Sequence, residues 1–304
     1  MGFIARSAEG EVVGVCSSNI EKGIYNGLLF HAMRVLVANE HRQNFLAFDL
    51  LAHLTELHFE EFKADPQSGP VGVKVVIQTP IVAERGAIRC ARTIQFPVNN
   101  APWTFLLSGF APGNQPEYCC YFPRDDEASL AAQNRWTSDS APRVEHVTVK
   151  LLHEGGPIAE REQVLGLLQT LSPRSAVAGA QAELAGRAIY TLYLADQLIA
   201  LCELVPRDLP EINGLLVGLY THTLTDLGKL DVAACFARGI YEQLEANTGT
   251  IPFGAVGLFM VYASRTALPP VCPVTGFHLH GVDGQGKELR VRFFDEIKVE
   301  VPRS

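Results

Sequence analysis

His222 and Asp226 stand four residues apart, with Thr223 between them, in a stretch rich in leucine and glycine. On a helix that spacing puts both on one face. A carboxylate there would orient a water or fix the imidazole tautomer, which is general-base chemistry. A carboxylate in an apolar helix is costly to bury without a role or a partner. The alternative, with Asp226 and Lys229 solvated near a helix end, stays open. His31 is the second candidate. It is flanked by Phe30, Ala32, Met33 and Val35, so an enclosed ring would be neutral. It is then either a base or a core histidine bonded to a backbone carbonyl.

Two other groupings read as surface. Glu56, His58, Glu60 and Glu61 form an acidic patch, and as a strand Glu56, His58 and Glu60 would face water together rather than a metal. His278 and His280 likewise share a strand face near Cys272, where a polar face is expected rather than a metal site. No GxSxG, P-loop or GxGxxG is present, which argues against nucleophilic serine hydrolysis and nucleotide binding. No metal or cofactor is expected.

The elements that would position these residues follow from periodicity. Gly23 to Gln43 is apolar nearly all round and reads as a helix buried on every side. Phe3 to Val15 before it reads as a hairpin, and His53 to Asp65 after it as a strand. Val71 to Thr79, Ala87 to Phe96 and Trp103 to Phe110 read as further strands. From Arg187 the pattern returns. Phe3 lies over Tyr190, and the NGLL at Asn26 over the NGLL at Asn213, at one shared offset and without a gap. The closing GFHLHGVDGQGKELRVRFF follows the layout of GAIRCARTIQFPVNNAPWTFLL. A duplicated architecture is expected, divided as 1–117, a connector at 118–186 packed on the modules, and 187–304.

At 304 residues, two modules suit the length. A 47% hydrophobic chain with net charge -8 and no basic patch fits a compact protein without a nucleic-acid surface. No span is apolar enough for a membrane. Seven cysteines without CxxC spacing suit reduced, buried thiols. With strand-like sequence beginning at Phe3 and no leader, a soluble cytoplasmic protein is expected.

Asn26-Gly27 at the start of the supposed helix, Arg92-Thr93-Ile94-Gln95 on one strand, and Phe105, Ser108 and Phe110 on the next resemble the N-terminal half of the acyl-CoA thioesterase II family and its thioesterase-like relatives. LTDLGKL around Asp226 is similar to the family's helix segment with the catalytic Asp, and VDGQGKELRV to its closing strands. The resemblance implies an α+β double hotdog, each module a curled antiparallel sheet around a central helix. It implies hydrolysis of acyl thioesters, with acyl-CoA or a carrier-bound acyl group as substrate. His31, His222, Thr223 and Asp226 would be catalytic, and Asn26, Gly27, Gln95, Asn213 and Gly214 would contact substrate. A hotdog dehydratase, isomerase or cyclase of acyl or polyketide substrates, and a non-catalytic binder of hydrophobic small molecules, are the alternatives. Homo-oligomerisation is a further expectation from the fold analogy.

Overall fold

The computed structural model describes residues 1–42, 45–66, 69–78, 86–95, 102–124, 147–151, 162, 164, 166, 189–194, 197–223, 232–246, 251, 254–262, 269–272 and 275–302. Its first part contains β1 (Gly2–Arg6), β2 (Val12–Lys22), β3 (Leu29–Val37), α1 (Leu46–Ala64) and β4 (Gly72–Val76). Then come β5 (Ala87–Arg89), β6 (Ala91–Gln95), β7 (Pro102–Ala111) and β8 (Gln115–Tyr121). The second part contains β9 (Val147–Leu151), β10 (Ile189–Leu194), β11 (Gln197–Leu209), β12 (Gly214–Thr223) and α2 (Val232–Ala246). It closes with β13 (Gly257–Tyr262), β14 (His278–Val282), β15 (Glu288–Phe293) and β16 (Lys298–Glu300).

The expected helices and strands are exchanged. Gly23 to Gln43 holds a turn and then β3, a strand, and Asn213 to Leu230 begins with β12. A run that is apolar on all sides suits a strand covered on both faces as well as a buried helix, and periodicity alone does not separate the two. In β3, Phe30, His31, Ala32 and Met33 are buried in succession, so both faces of the sheet are covered there. The stretch read as a strand, His53 to Asp65, lies in α1. Leucine, alanine, glutamate and lysine dominate it and are good helix formers. Leu50, Leu54, His58 and Phe62 fall on its buried side.

Each half builds a seven-stranded sheet. The first has the order β1-β2-β3-β4-β8-β7-β6, and the second β14-β15-β13-β12-β11-β10-β9. In both, the last strand of an antiparallel run, β3 or β12, is followed by a helix, and the chain returns as a parallel neighbour. β3 and β4 pair from His31↔Val73 to Met33↔Val75, and β12 and β13 from Leu216↔Gly257 to Gly218↔Phe259. Parallel neighbours require a crossover, and α1 and α2 supply it. Each helix therefore lies on one face of its sheet.

That arrangement overturns the double hotdog and the thioesterase II resemblance. In a hotdog the sheet curls around a central helix; here the segments taken for central helices are sheet strands, and the real helices are crossovers. The duplication shows at the level of architecture. β1 and β10, and β2 and β11, stand at the offset that separates Asn26 from Asn213. The sheet order sets β14 and β15 opposite β7 and β8, not β5 to β7 as the sequence layout implied. β8 crosses position 117, and β9, from the connector, joins the edge of the second sheet.

The halves share core. Leu209, Ile212, Val256, Phe259 and Phe293 pack in one cluster with Trp103, Phe105 and Tyr118. β16 pairs with β5, so the end of the chain returns to the first half. All seven cysteines are buried. Among the described residues, no helix is long and apolar enough to cross a membrane.

Candidate active site

In an extended strand alternate side chains share a face, and the face of β2 and β3 under α1 carries Cys16, Ser18, His31 and Met33. Ser18 stands opposite Met33 in the β2–β3 register, and His31 lies two residues before it. The helix is clamped above by contacts at two heights. The Cys16 thiol lies 3.6 Å from the Leu50 carbonyl, and Thr55 Oγ1 lies 3.7 Å from Met33 Sδ. One turn beyond Leu54, His58 comes down over Ser18 and His31. Glu61 follows at i+3 on the same helix edge.

The result is a three-residue line. Ser18 Oγ lies 2.7 Å from His58 Nε2, and His58 Nδ1 lies 2.8 Å from Glu61 Oε2. A carboxylate only accepts, so Nδ1 carries the proton and donates it to Glu61. In the neutral ring Nε2 then has a free lone pair and accepts from the Ser18 hydroxyl. His58 is 3% exposed, Glu61 is open to solvent and Ser18 is half-buried. The base is therefore shielded while the hydroxyl and the orienting carboxylate remain reachable. His31 stacks on His58, with ring centroids 3.5 Å apart and planes 9° from parallel. Burial, and then the neighbouring His58, push the His31 pKa down to about 4, so its ring is neutral at pH 7.

A hydroxyl, an imidazole and a carboxylate in series are the parts of an activated nucleophile, recognised by geometry and not by position in sequence. The expectation against a serine nucleophile rested on the lack of GxSxG. That motif belongs to a strand-to-helix elbow, whereas Ser18 lies within a strand. Ser18 carried no signal of its own. The His58–Glu61 pair was legible as an i,i+3 helix pair, but reading the segment as a strand set His58 beside Glu56 and Glu60 instead.

The residues named from sequence are dispersed. His31 does join the site. His222 lies on β12 and meets Glu203 through Nε2 at 3.1 Å, Thr223 ends that strand, and Asp226 lies outside the described residues. Asn26 is a turn residue at the seam between the halves. Its Nδ2 donates to the Tyr121 hydroxyl at 3.0 Å and reaches the Leu279 carbonyl at 3.4 Å, while its Oδ1 accepts from the Leu28 amide. Gly27 takes a positive φ of 68° beside it. Gln95 is exposed at the end of β6. Asn213 caps a short turn in the left-handed region and donates to the Glu300 carbonyl at 2.8 Å. Gly214 packs where a Cβ would crowd Val256 and Val299. His278 and His280, expected on a polar face, are 2% and 4% exposed. Burial keeps both neutral, with His280 down at about 4.

A separate cavity of about 710 Å³ opens at the seam, with Trp103, Tyr121, Phe122, His278 and Arg292 among its walls. The Arg292 guanidinium lies 3.4 Å above the Tyr241 ring and donates to the Thr275 carbonyl. Ser18, His58 and Glu61 do not line this cavity.

No family model matches the chain, and no curated protein does. Solved structures give slight likenesses. A mutant AtaT toxin bound to the C-terminus of the antitoxin AtaR and acetyl-CoA matches at 15% identity and TM-score 0.29, over 47% of this chain and 92% of that one. A GCN5-related N-acetyltransferase from Sphaerobacter thermophilus gives 11% and 0.21, over 80% and 68%. Another from Kribbella flavida gives 12% and 0.22, over 93% and 71%. None of the three is a hotdog thioesterase, and at these scores the likeness is too slight to assign a fold or a function. Thioester hydrolysis, the dehydratase, isomerase or cyclase alternative, and the non-catalytic binder all depended on the hotdog and fall with it.

Proposed function

We propose that the chain is an acyl-transfer enzyme that carries an acyl group on Ser18 and passes it to an amine or alcohol. The observation that carries this reading is the unbroken line from Ser18 Oγ through His58 to Glu61, with contacts of 2.7 and 2.8 Å. As His58 Nε2 takes the hydroxyl proton, Ser18 Oγ bonds to the carbonyl carbon of an acyl thioester. Glu61 stabilises the imidazolium through Nδ1–H. The carbon–sulfur bond breaks, and the leaving thiolate takes the proton from Nε2. In the second half an acceptor N–H or O–H gives its proton to Nε2 and attacks the acyl carbon. Ser18 leaves with that proton, and the relay is restored. Burial of the imidazole keeps bulk water from the base between the two steps.

Acetyl-CoA, a small acyl thioester, is the first donor to test. The protein is incubated with acetyl-CoA and longer acyl-CoAs, and its mass is measured before and after adding an amine. A single acyl adduct on the peptide that contains Ser18, discharged by amine and missing from Ser18→Ala, is expected. An adduct that persists in Ser18→Ala, or no adduct with any donor, would overturn the proposal.

A further inference from the structure

Arg292, in the wall of the seam cavity, is a cation that no carboxylate of the described residues pairs with. Its guanidinium lies 3.4 Å from the Tyr241 ring centroid and donates through Nη1 to the Thr275 carbonyl at 2.6 Å. Gly276, with a positive φ of 72°, lets the chain pass close beside it, since a Cβ there would stand 3.2 Å from the guanidinium carbon. Ring, carbonyl and glycine hold the group in one place, so little side-chain entropy is left to lose on binding. Among the described residues its other N–H groups have no acceptor. A guanidinium so placed is open to a ligand carboxylate, which its fork engages through two parallel hydrogen bonds.

The rest of the wall sets what that carboxylate is attached to. Phe59, Trp103 and Phe122 line the cavity and are already packed on one another, with ring centroids 5.3, 5.6 and 6.0 Å apart. Such preformed aromatic surface favours a flat ring. A volume of about 710 Å³ suits a small molecule. Charge sets the limit. The described residues of the wall carry two cations, Arg292 and Arg124, and one carboxylate, the exposed Asp295, while burial keeps His278 neutral. One net positive charge suits a monoanion better than a phosphate dianion. We propose that the seam cavity is a binding site for an aromatic monocarboxylate, with its acid group on Arg292 and its ring against the aromatic wall. Ser18, His58 and Glu61 lie outside this cavity, so binding here is independent of acyl transfer.

The test titrates the full chain by calorimetry at neutral pH. One equivalent of naphthoate should bind. Naphthalenemethanol, which keeps the ring and lacks the charge, and octanoate, which keeps the charge and lacks the ring, should each bind at least about ten-fold more weakly. Arg292→Gln keeps a side-chain N–H for the Thr275 carbonyl and removes the charge. It should lower naphthoate affinity about ten-fold and leave that of naphthalenemethanol unchanged. A loss of both would show a collapsed cavity, and the comparison of probes on the wild type then decides. No naphthoate binding, or naphthalenemethanol bound as tightly by the wild type, would overturn the site. Equal naphthoate affinity in a folded Arg292→Gln would take the acid group off Arg292 and overturn it too. Octanoate bound as tightly as naphthoate would overturn the aromatic assignment. Acyl loading of Ser18 is no readout here, so its failure leaves the binding result standing.

Discussion

The imidazole rings of His31 and His58 lie face to face, 3.5 Å between centroids and 9° from parallel, under the last turns of α1. Two cations cannot share that space. His31 titrates at about 4, against an ordinary 6.5, because burial and then His58 disfavour its charge. In the unfolded chain it takes up a proton near pH 6.5, so between 6.5 and 4 the unfolded state binds more protons. Stability is therefore full above pH 6.5 and falls as pH drops towards 4, by about 3 kcal/mol at most. Urea unfolding at pH 7.5 and 4.5 measures this, and His31→Phe, which keeps a stacked ring, should flatten the difference.

Glu61 acts through His58 and touches no reacting atom, which makes it a positioning residue. In Glu61→Gln the side-chain carbonyl still accepts from Nδ1–H, so the tautomer is kept while the charge that stabilises the imidazolium is lost. Acyl loading should fall by about 10²-fold, against about 10³-fold or more for His58→Ala. The Glu61→Gln/His58→Ala double variant should be no slower than His58→Ala alone, because residues acting as one unit are not additive. Single-turnover loading followed by mass spectrometry gives all three rates. Additive losses would separate Glu61 from the relay.

Strand-like alternation at Phe3 to Val15, the Val- and Ile-rich β4 and the repeat itself were legible in the sequence, because turn chemistry and period-2 patterning are local. The class of Gly23 to Gln43 was not, since a run covered on both faces has no period. Its apolar residues are explained only once α1 lies on one face and Tyr121 of β8, which donates to the Leu279 carbonyl of β14, packs against Phe30 on the other. The same misreading hid the site. His58 and Glu61 meet only on a helix, and Ser18, forty residues earlier, reaches them only through the β2–β3 register. His31 was found because an isolated polar residue in an apolar run is visible without knowing the element.

Asn26 was expected to contact substrate, but its bonds belong to the seam. With Asn26→Ala, the Tyr121 hydroxyl loses a donor, the Leu28 amide loses an acceptor and the turn loosens. The cost should be about 1–3 kcal/mol, seen as a lower urea midpoint. Acyl loading of Ser18 should keep its dependence on donor concentration. A raised donor requirement with unchanged stability would return Asn26 to the binding site.

Lys74 on β4 is the buried cation of the first sheet's other face, 6% exposed and bonded to Glu21 at 2.8 Å and Glu117 at 3.5 Å. Glu117 is equally enclosed and takes a further bond from Ser108. Removing one partner of a buried pair leaves an uncompensated charge, which typically costs about 3–5 kcal/mol. Lys74→Met should show that loss at pH 7. The Glu21 carboxyl is held below its ordinary value by the bond from Lys74, so the wild type loses that contribution as acid protonates it below about pH 4.5, the variant has none to lose, and the deficit should shrink there. Lys74→Met/Glu117→Leu, which removes both buried charges, should regain most of the stability of the wild type. Denaturant midpoints of the three proteins at about pH 3.5 and pH 7 test the account. A double variant as unstable as Lys74→Met alone would show that the pair holds the sheet by its shape and not by its charge.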